Sequence, residues 1–200
     1  MVLRIESNER ERPDTPDRGV GQQRTLAEVQ RDVMAFLVDE AGFAQVTTIN
    51  RDGYPVGRTM GAPVNPDWSV DLVQRNVHRR LAQIERNPRV EIVWVGDPVV
   101  GSINDRPHVY DFGLPVPRVV FLRGHAVRMD DAWTLARFER QTASQLAKGL
   151  HKAPTRTPEN VRESLVGLHV EPVQVRAEGF GIGAQSVTWA VDHQATKEDR

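Results

Sequence analysis

Three arginines stand out in this sequence because they occupy positions where a positive charge is unfavourable. Arg79 and Arg80 stand at the start of a short helix-like stretch, LAQIERNP. A helix N-terminus is partly positive, so a cation there costs about 0.3–1 kcal/mol unless an anion binds beside it. Arg58 shares a strand-like face with apolar Val56 and Met60, where an unpaired buried cation would be very costly. All three positions call for an anion.

The chemistry that these arginines suggest is phosphate binding. Guanidinium groups bind phosphate oxygens in a bidentate manner, and the free N–H groups of a helix start add further donors. On the opposite face of the Arg58 strand, Gly57, Thr59 and Gly61 would leave backbone amides open to a flat ligand. For each arginine taken alone, the alternative is a salt bridge or an ordinary exposed position.

Six stretches with the alternation and composition of β-strands must position these side chains. Asp52-Gly53 and Asn65-Pro66-Asp67 are turn signals between the first three. The predicted strands are 43–50, 56–64, 68–75, 89–96, 119–129 and 168–177.

Helices are predicted between some of these strands. Thr25 and Glu28 form a capping-box pattern at the start of a helix that ends near Gly42. Asp130 or Asp131 caps a helix over 132–149, and Thr157-Pro158 starts a short one. The inner face of the 132–149 helix is predicted to carry Leu135, Phe138, Thr142 and Leu146.

Successive strands with short turns are not a βαβ pattern, so the prediction is a mainly β fold, an antiparallel barrel or sandwich with accessory helices. Residues 1–24 are rich in charge and proline and predict a flexible arm. Residues 25–190 are expected to form one domain, followed by a polar tail over 191–200. The long 96–117 segment is predicted to be a loop, and loops of this length are often functional.

The composition excludes several classes of function. The chain has 200 residues and a formal net charge of −1, which gives no reason to expect nucleic acid as a partner. The absence of cysteine excludes disulfides and thiolate chemistry. No apolar run is long enough to span a bilayer, and the charged N-terminal stretch lacks a signal-peptide pattern. We therefore expect a cytoplasmic protein without a membrane partner.

Three stretches together resemble the pyridoxamine 5′-phosphate oxidase-like, FMN-binding split-barrel family. The resemblance spans about residues 25–176 and depends more on order and spacing than on identity. It implies a six-stranded antiparallel split β-barrel, a homodimer, and FMN bound at the subunit interface. The three stretches are DEAGFAQVTTINRDGYPVGRTMGAPV, WSVDLVQRNVHRRLAQIERNPRVEIVW and RVVFLRGHAVRMDD.

The resemblance also implies a set of cofactor-binding residues. A strand segment that begins with Arg58 would contact the flavin, a dipeptide would lie beside it, and a turn would hold the phosphate. The family's lysine in that turn is replaced by Arg80, which still binds phosphate, in a bidentate manner. The implied residues are Arg58, Thr59, Met60, Gly61, Ala62 and Pro63 in the first segment, Val73 and Gln74 in the dipeptide, and Arg79 and Arg80 in the turn.

The implied function is an FMN-dependent oxidoreductase that acts on a small organic substrate, with catalytic residues unknown. One alternative is an F420-dependent reductase, whose longer anionic tail would suit an arginine-rich groove. Another is a non-catalytic flavin- or heme-binding protein, for which His108 or His125 would be the axial ligand. The histidines show no metal-site spacing, so no metal is expected. Trp94, Trp133 and Trp189 are interpreted as packing residues.

Overall fold

An antiparallel β-sheet, whose strands differ in length, is the framework of the computed structural model. The structure describes residues 24–100, 102–104, 113–147, 149, 156–180 and 186–191. Residues 1–23 of the predicted arm and 192–200 of the predicted tail lie outside the described residues. The strands are β1 (Ala44–Ile49), β2 (Pro55–Met60), β3 (Val70–Arg75), β4 (Arg89–Gly96), β5 (Arg118–Arg128), β6 (Leu165–Glu178) and β7 (Ser186–Ala190).

The sheet does not close on itself. Its strand order is β2-β1-β4-β5-β6-β3, with β7 paired to β6, so β2 and β3 are the two ends. They meet only where Val64 bridges Val70 and the Asp71 N–H donates to Pro63 O over 3.4 Å. Beyond that point β2 and β3 separate and leave an open seam. The mainly β prediction is confirmed; its six strands are present, and the sequence reading missed β7.

Four α-helices lie among the described residues. They are α1 (Leu26–Ala35), which continues into a π-helical turn over Phe36–Glu40, α2 (Arg80–Arg86), α3 (Asp131–Ala147) and α4 (Pro158–Ser164). No helix in the described part of the chain is both long and apolar enough to cross a bilayer.

The predicted helix starts are confirmed. Thr25 Oγ1 accepts the Glu28 N–H, and the Glu28 carboxylate accepts the Thr25 N–H in return. Asp130, rather than Asp131, caps α3, because its Oδ1 accepts the Trp133 N–H over 2.7 Å. These caps satisfy N–H groups that the helix itself leaves free.

The apolar core lies on the inner face of the sheet. Alternate residues of β4 point inward, and Val90, Ile92 and Trp94 are buried. Phe36 of the π-helical turn packs directly over Gly96, where a Cβ atom would lie 2.3 Å from the ring. Gly96 therefore permits the close approach of the turn to the end of β4.

Part of the 96–117 segment lies among the described residues. Ile103 bridges Pro115, and the Asn104 N–H donates to Leu114 O over 2.9 Å. These residues thus form a short antiparallel pairing, while residues 105–112, which include His108, lie outside the described residues.

The predicted inner face of α3 is corrected by the structure. The buried residues are Thr134 and Arg137, whereas Leu146 is exposed. The cause is polar: Thr134 Oγ1 accepts the Gly167 N–H over 3.0 Å, and Arg137 Nε lies 3.3 Å from Oδ2 of the buried Asp71. Hydrogen bonding to the sheet, rather than apolar periodicity, therefore orients this helix.

Asp71 is the centre of this attachment. The Nδ1 atom of the His169 ring lies 2.9 Å from Oδ1 of Asp71, within hydrogen-bond distance. Burial raises the pKa of Asp71, but the hydrogen bonds from His169 and Asn65 and the charge of Arg137 together lower that pKa below its ordinary value. The hydrogen bond to Asp71 raises the pKa of His169 by more than burial lowers it.

These shifts predict how stability depends on pH. The contribution of Asp71 is complete above its ordinary pKa of about 3.9 and is lost as the pH falls through the lowered value. The contribution of His169 is complete below about 6.5 and is lost as the pH rises through the raised value. The pair should stabilise the fold most between about pH 4 and pH 6.5, measured as the free energy of unfolding in urea. A His169→Gln variant should lose the decline on the alkaline side.

Asp71→Ala should lower the free energy of unfolding by about 3–5 kcal/mol near pH 6, because Arg137 would remain buried without its partner. The matched control is Glu91→Ala, which breaks the exposed pair with Arg123 and should cost less than about 1 kcal/mol. Equal effects of the two substitutions would contradict a central role for Asp71.

Candidate cofactor cleft

A cleft of about 820 Å³ lies along the open seam. Strands β2 and β3, which are the first and last in the sheet order, form two sides of the cleft. Residues of α2, α3 and the segment before α4 form the rest of its wall. The lining residues are Asn50, Val56, Arg58, Thr59, Met60, Val73, Gln74, Arg75, Val77, His78, Arg79, Arg80, Gln83, Phe138, Gln141, Arg156 and Leu165.

Most of the residues that the sequence analysis selected are brought together here. The cleft contains seven of the ten, from two strands and one helix: Arg58, Thr59, Met60, Val73, Gln74, Arg79 and Arg80.

The other three selected residues, Gly61, Ala62 and Pro63, do not line the cleft. Ala62 is buried in the core and Pro63 is exposed. The opposite face of β2, expected to be open to a flat ligand, is covered at Gly57 by the side chain of Gln45. The assignment of these residues to a cofactor remains a prediction without support from the cleft geometry.

Arg80 has an unusual electrostatic position. Its side chain reaches inward from the first turn of α2 toward β2, where Nη1 lies 2.6 Å from Met60 Sδ, and the residue is only 8% exposed. Its Nε atom is buried without a hydrogen-bond partner among the described residues. Burial, and then the charge of Arg58, lower the pKa of Arg80. An anion between Arg58 and Arg80 would relieve both effects.

Gln74 has a comparable unsatisfied position on the other side of the seam. The residue is buried, and neither Nε2 nor Oε1 has a hydrogen-bond partner among the described residues. A buried amide without partners costs about 1–3 kcal/mol. Its donor and acceptor can both be satisfied by a ligand with complementary groups, such as a ring with N–H and C=O functions.

The cleft is strongly basic. Five arginines line it, and no aspartate or glutamate is among its described lining residues. Arg75 and Arg156 were not selected from the sequence, because Arg75 reads as an ordinary strand end and Arg156 is 76 positions after Arg80 in an unremarkable polar stretch. Phe138 was predicted as an inner-face residue of α3 and instead faces this cleft.

A second cavity, of about 500 Å³, differs from the seam cleft in the pairing of its arginines. It lies between α1, the π-helical turn and the start of β5. Its arginines are paired with acids: Arg118 binds both carboxylate oxygens of Glu40, over 2.9 and 2.6 Å, and Arg24 pairs with Asp32. The hydrogen bond to Glu40 raises the pKa of Arg118. Arginines in the seam cleft lack such partners in the described part of the chain.

The remaining candidates lie elsewhere. His125 is exposed on β5 and does not line the cleft, while His78 does. Within the described ranges, no three His, Asp or Glu side chains converge in a metal-site arrangement. Trp94 and Trp189 are buried packing residues, and Trp189 contacts Trp68 edge-to-face at 5.2 Å.

The sequence matches one protein-family model. Residues 30–178 match the family described as pyridoxamine 5′-phosphate oxidase. No curated protein matches the sequence.

Solved structures with the same fold are distant in sequence. Campylobacter jejuni ChuZ is 15% identical at a TM-score of 0.56, and the aligned region covers 84% of this chain and 61% of the ChuZ chain. General Stress Protein 26 from Bacillus anthracis is 13% identical at a TM-score of 0.51, covering 80% and 98%. A protein from Clostridium acetobutylicum related to general stress protein 26, of the pyridoxinephosphate oxidase family, is 12% identical at 0.51, covering 83% and 96%.

The unsatisfied amide of Gln74 leads to a prediction about the ligand-free protein. Gln74→Leu should leave the free energy of unfolding unchanged or raise it by up to about 1–3 kcal/mol, because a buried orphan polar group is removed. Chemical denaturation of ligand-free protein measures this. The control is Leu72→Ala on the same strand, expected to cost about 2–5 kcal/mol. A large destabilisation by Gln74→Leu would mean that the amide supports the fold.

Proposed function

Because the chain belongs to the pyridoxamine 5′-phosphate oxidase family, we propose that it is an FMN-dependent oxidoreductase acting on a small organic substrate. The observation that carries this proposal is the buried guanidinium of Arg80, which faces the cleft beside Arg58 and without an acid partner in the described residues. A buried cation in that position requires an anion to balance it.

The residues of the cleft fit the parts of FMN. The terminal phosphate would lie between Arg58, Arg79 and Arg80, because charge-assisted bonds from guanidinium groups are the strongest available there. The flat ring system would lie against Met60 and Val73. Gln74 would donate to and accept from polar atoms of the ring or ribityl chain, which satisfies its buried amide.

When bound, the flavin supplies the redox chemistry by accepting and returning two electrons. The side chains of this chain perform the remaining tasks. The arginines fix the cofactor through its phosphate, and Gln74 orients it. Phe138 and Leu165 add apolar surface to the lining of the cleft. No acid–base residue is assigned, and the proposal does not depend on one.

The proposed assembly is a homodimer. Apolar side chains on the outer face of the sheet support it, since Val93 pairs with Phe121 and Val95 with Val119 across β4 and β5, and Phe43 immediately precedes β1, the other neighbour of β4. Phe43 is 70% exposed and Val95 65%. Contiguous apolar side chains of this kind are typical of a protein–protein interface.

A second candidate cofactor is the deazaflavin F420. Five arginines without acid partners among the described residues exceed what one phosphate group, with a charge of about −1.5 to −2, can balance. The longer anionic tail of F420 would use this excess. The absorption and fluorescence of protein desalted after incubation with each cofactor distinguish the two.

Arg80→Met should weaken FMN binding by about 1.5–3 kcal/mol, because it removes a charge-assisted hydrogen bond to the phosphate. Methionine keeps the apolar stem of the side chain and removes the buried charge, so stability without ligand should not fall. Fluorescence titration with FMN measures the affinity. As a control, Arg86→Met removes a charge from the exposed end of the same helix, outside the cleft, and should leave the affinity unchanged. Intact FMN affinity in Arg80→Met would refute the phosphate assignment.

Val95→Glu should convert the proposed dimer to a monomer, because a charge would be desolvated at the centre of the patch. Light scattering coupled to gel filtration measures the mass. Val127→Glu is the control: Val127 is also exposed on β5, but it lies six residues, about 20 Å, beyond Phe121. A wild-type monomer, or a dimer that survives Val95→Glu, would argue against this interface.

A further inference from the structure

Met60 is the only methionine among the described lining residues of the cleft, although the chain contains four methionines. We propose that Met60 is a modification site, at which a peroxide oxidises the sulfur to the sulfoxide, and that the sulfoxide oxygen then occupies Arg80 in place of an anion. The selective oxidation goes beyond the proposed function. The effect on anion binding rests on the proposed function, because it takes Arg80 as part of the phosphate site.

The contact between Met60 and Arg80 leaves a buried guanidinium poorly satisfied. Sδ of Met60 lies 2.6 Å from Nη1 of Arg80, but a thioether sulfur is only a weak hydrogen-bond acceptor. The Nε atom of the same arginine is buried without a partner among the described residues, and no acid is among the described lining residues of the cleft. A stronger acceptor on this sulfur would therefore be favourable for Arg80.

Met60 lies at the border between the core and the cleft. It is the last residue of β2 and pairs with Ala44 on β1. On its other side β2 has no further neighbour in the described sheet, and the half-buried side chain of Met60 packs against the core and also lines the cleft. A small oxidant that enters the cleft therefore meets this side chain, and oxidation of methionine to the sulfoxide is a common, reversible modification.

The basic cleft favours this oxidation. A lone pair of the sulfur attacks one oxygen of hydrogen peroxide, so that the S–O bond forms as the O–O bond breaks. The second oxygen leaves as hydroxide and takes the proton of the first, which gives water; the sulfur is oxidised by two electrons and the peroxide is reduced by two. Negative charge develops on the leaving oxygen, and the arginines of the cleft stabilise that charge.

The sulfoxide changes what the cleft offers to an anion. Oxidation turns the apolar thioether into a polar group, whose oxygen is a much stronger acceptor than sulfur and carries no net charge. Bonded to Nη1 of Arg80, that oxygen occupies a donor that the phosphate of FMN would use. Riboflavin has the same ring system without the phosphate. The competition therefore acts on FMN and not on riboflavin, whereas a loss of packing at Met60 acts on both.

Peroxide treatment of the full chain without added cofactor tests the modification site. Mass spectrometry of the resulting peptides gives the rate of oxidation at each methionine. Met60 should be oxidised at least about tenfold faster than Met34 on α1 or Met129 after β5, both of which lie outside the cleft. Oxidation of Met60 at the same rate as these two, or more slowly, overturns the inference.

Fluorescence titration with FMN and with riboflavin, before and after peroxide, tests the competition at Arg80. The preference of the wild-type protein for FMN over riboflavin should fall at least about tenfold after oxidation, and methionine sulfoxide reductases should restore it. Met60→Leu should lose this response to peroxide, and the control Met34→Leu should retain it. An unchanged preference, or an equal loss of affinity for the two flavins, overturns the pairing of the sulfoxide with Arg80.

Failure of the proposed function gives a different result. Untreated wild-type protein that binds neither flavin, or both equally well, contradicts the cofactor assignment alone. Unfolding in urea then tests the pairing without a ligand. Peroxide should lower the urea midpoint more in Arg80→Leu than in the wild type, because the sulfoxide loses its donor in the variant. Equal shifts of the midpoint in the two proteins overturn the pairing.

Discussion

The open seam between β2 and β3 is the constraint on which the rest of the structure depends. The two strands meet through Val64 and Val70 and then separate, so Met60 and Gln74 face a cleft instead of each other. A closed sheet would satisfy strand edges with backbone bonds. Here side chains of α2 and α3 flank the gap, and the space that remains is polar and basic. The position of the cleft is therefore a consequence of incomplete sheet closure.

The protein distributes its charges unevenly between structural and ligand-facing positions. Asp71 lies in a network with His169 and Arg137, and Arg118 is paired with Glu40, so these cations have acids within hydrogen-bond distance. In the seam, Arg80 and Gln74 are buried without partners in the described residues. Unsatisfied buried groups lower stability unless a ligand completes them. The Asp71 network offsets part of that cost, because it fixes α3, whose Phe138 forms the far wall of the cleft.

Local signals in the sequence were sufficient for six of the seven strands and for the helix starts. Alternation along β4 and the Thr25–Glu28 capping box act over a few residues, so they can be read directly. The inner face of α3 could not be read in this way. Apolar periodicity selected Leu146, but the partners of Thr134 and Arg137 are on distant strands. Arg156 was missed because its place at the cleft depends on the contact of α4 with the end of β3, where Asn76 donates to Glu163 O and Ser164 O, and these residues are far apart in the sequence.

Arg80 differs from the other four arginines of the cleft in its burial, and therefore in its response to salt. Exposed charges are screened over about 8 Å at physiological ionic strength, whereas a buried charge is screened much less. Arg80 is buried, while the other arginines of the cleft are exposed: Arg58, Arg75, Arg79 and Arg156. An anion at Arg80 would therefore be held firmly across a wide range of salt, as a resident cofactor must be. An anion held by the exposed arginines alone would exchange more readily with solvent, so the buried guanidinium of Arg80 is the group on which retention of an anion depends.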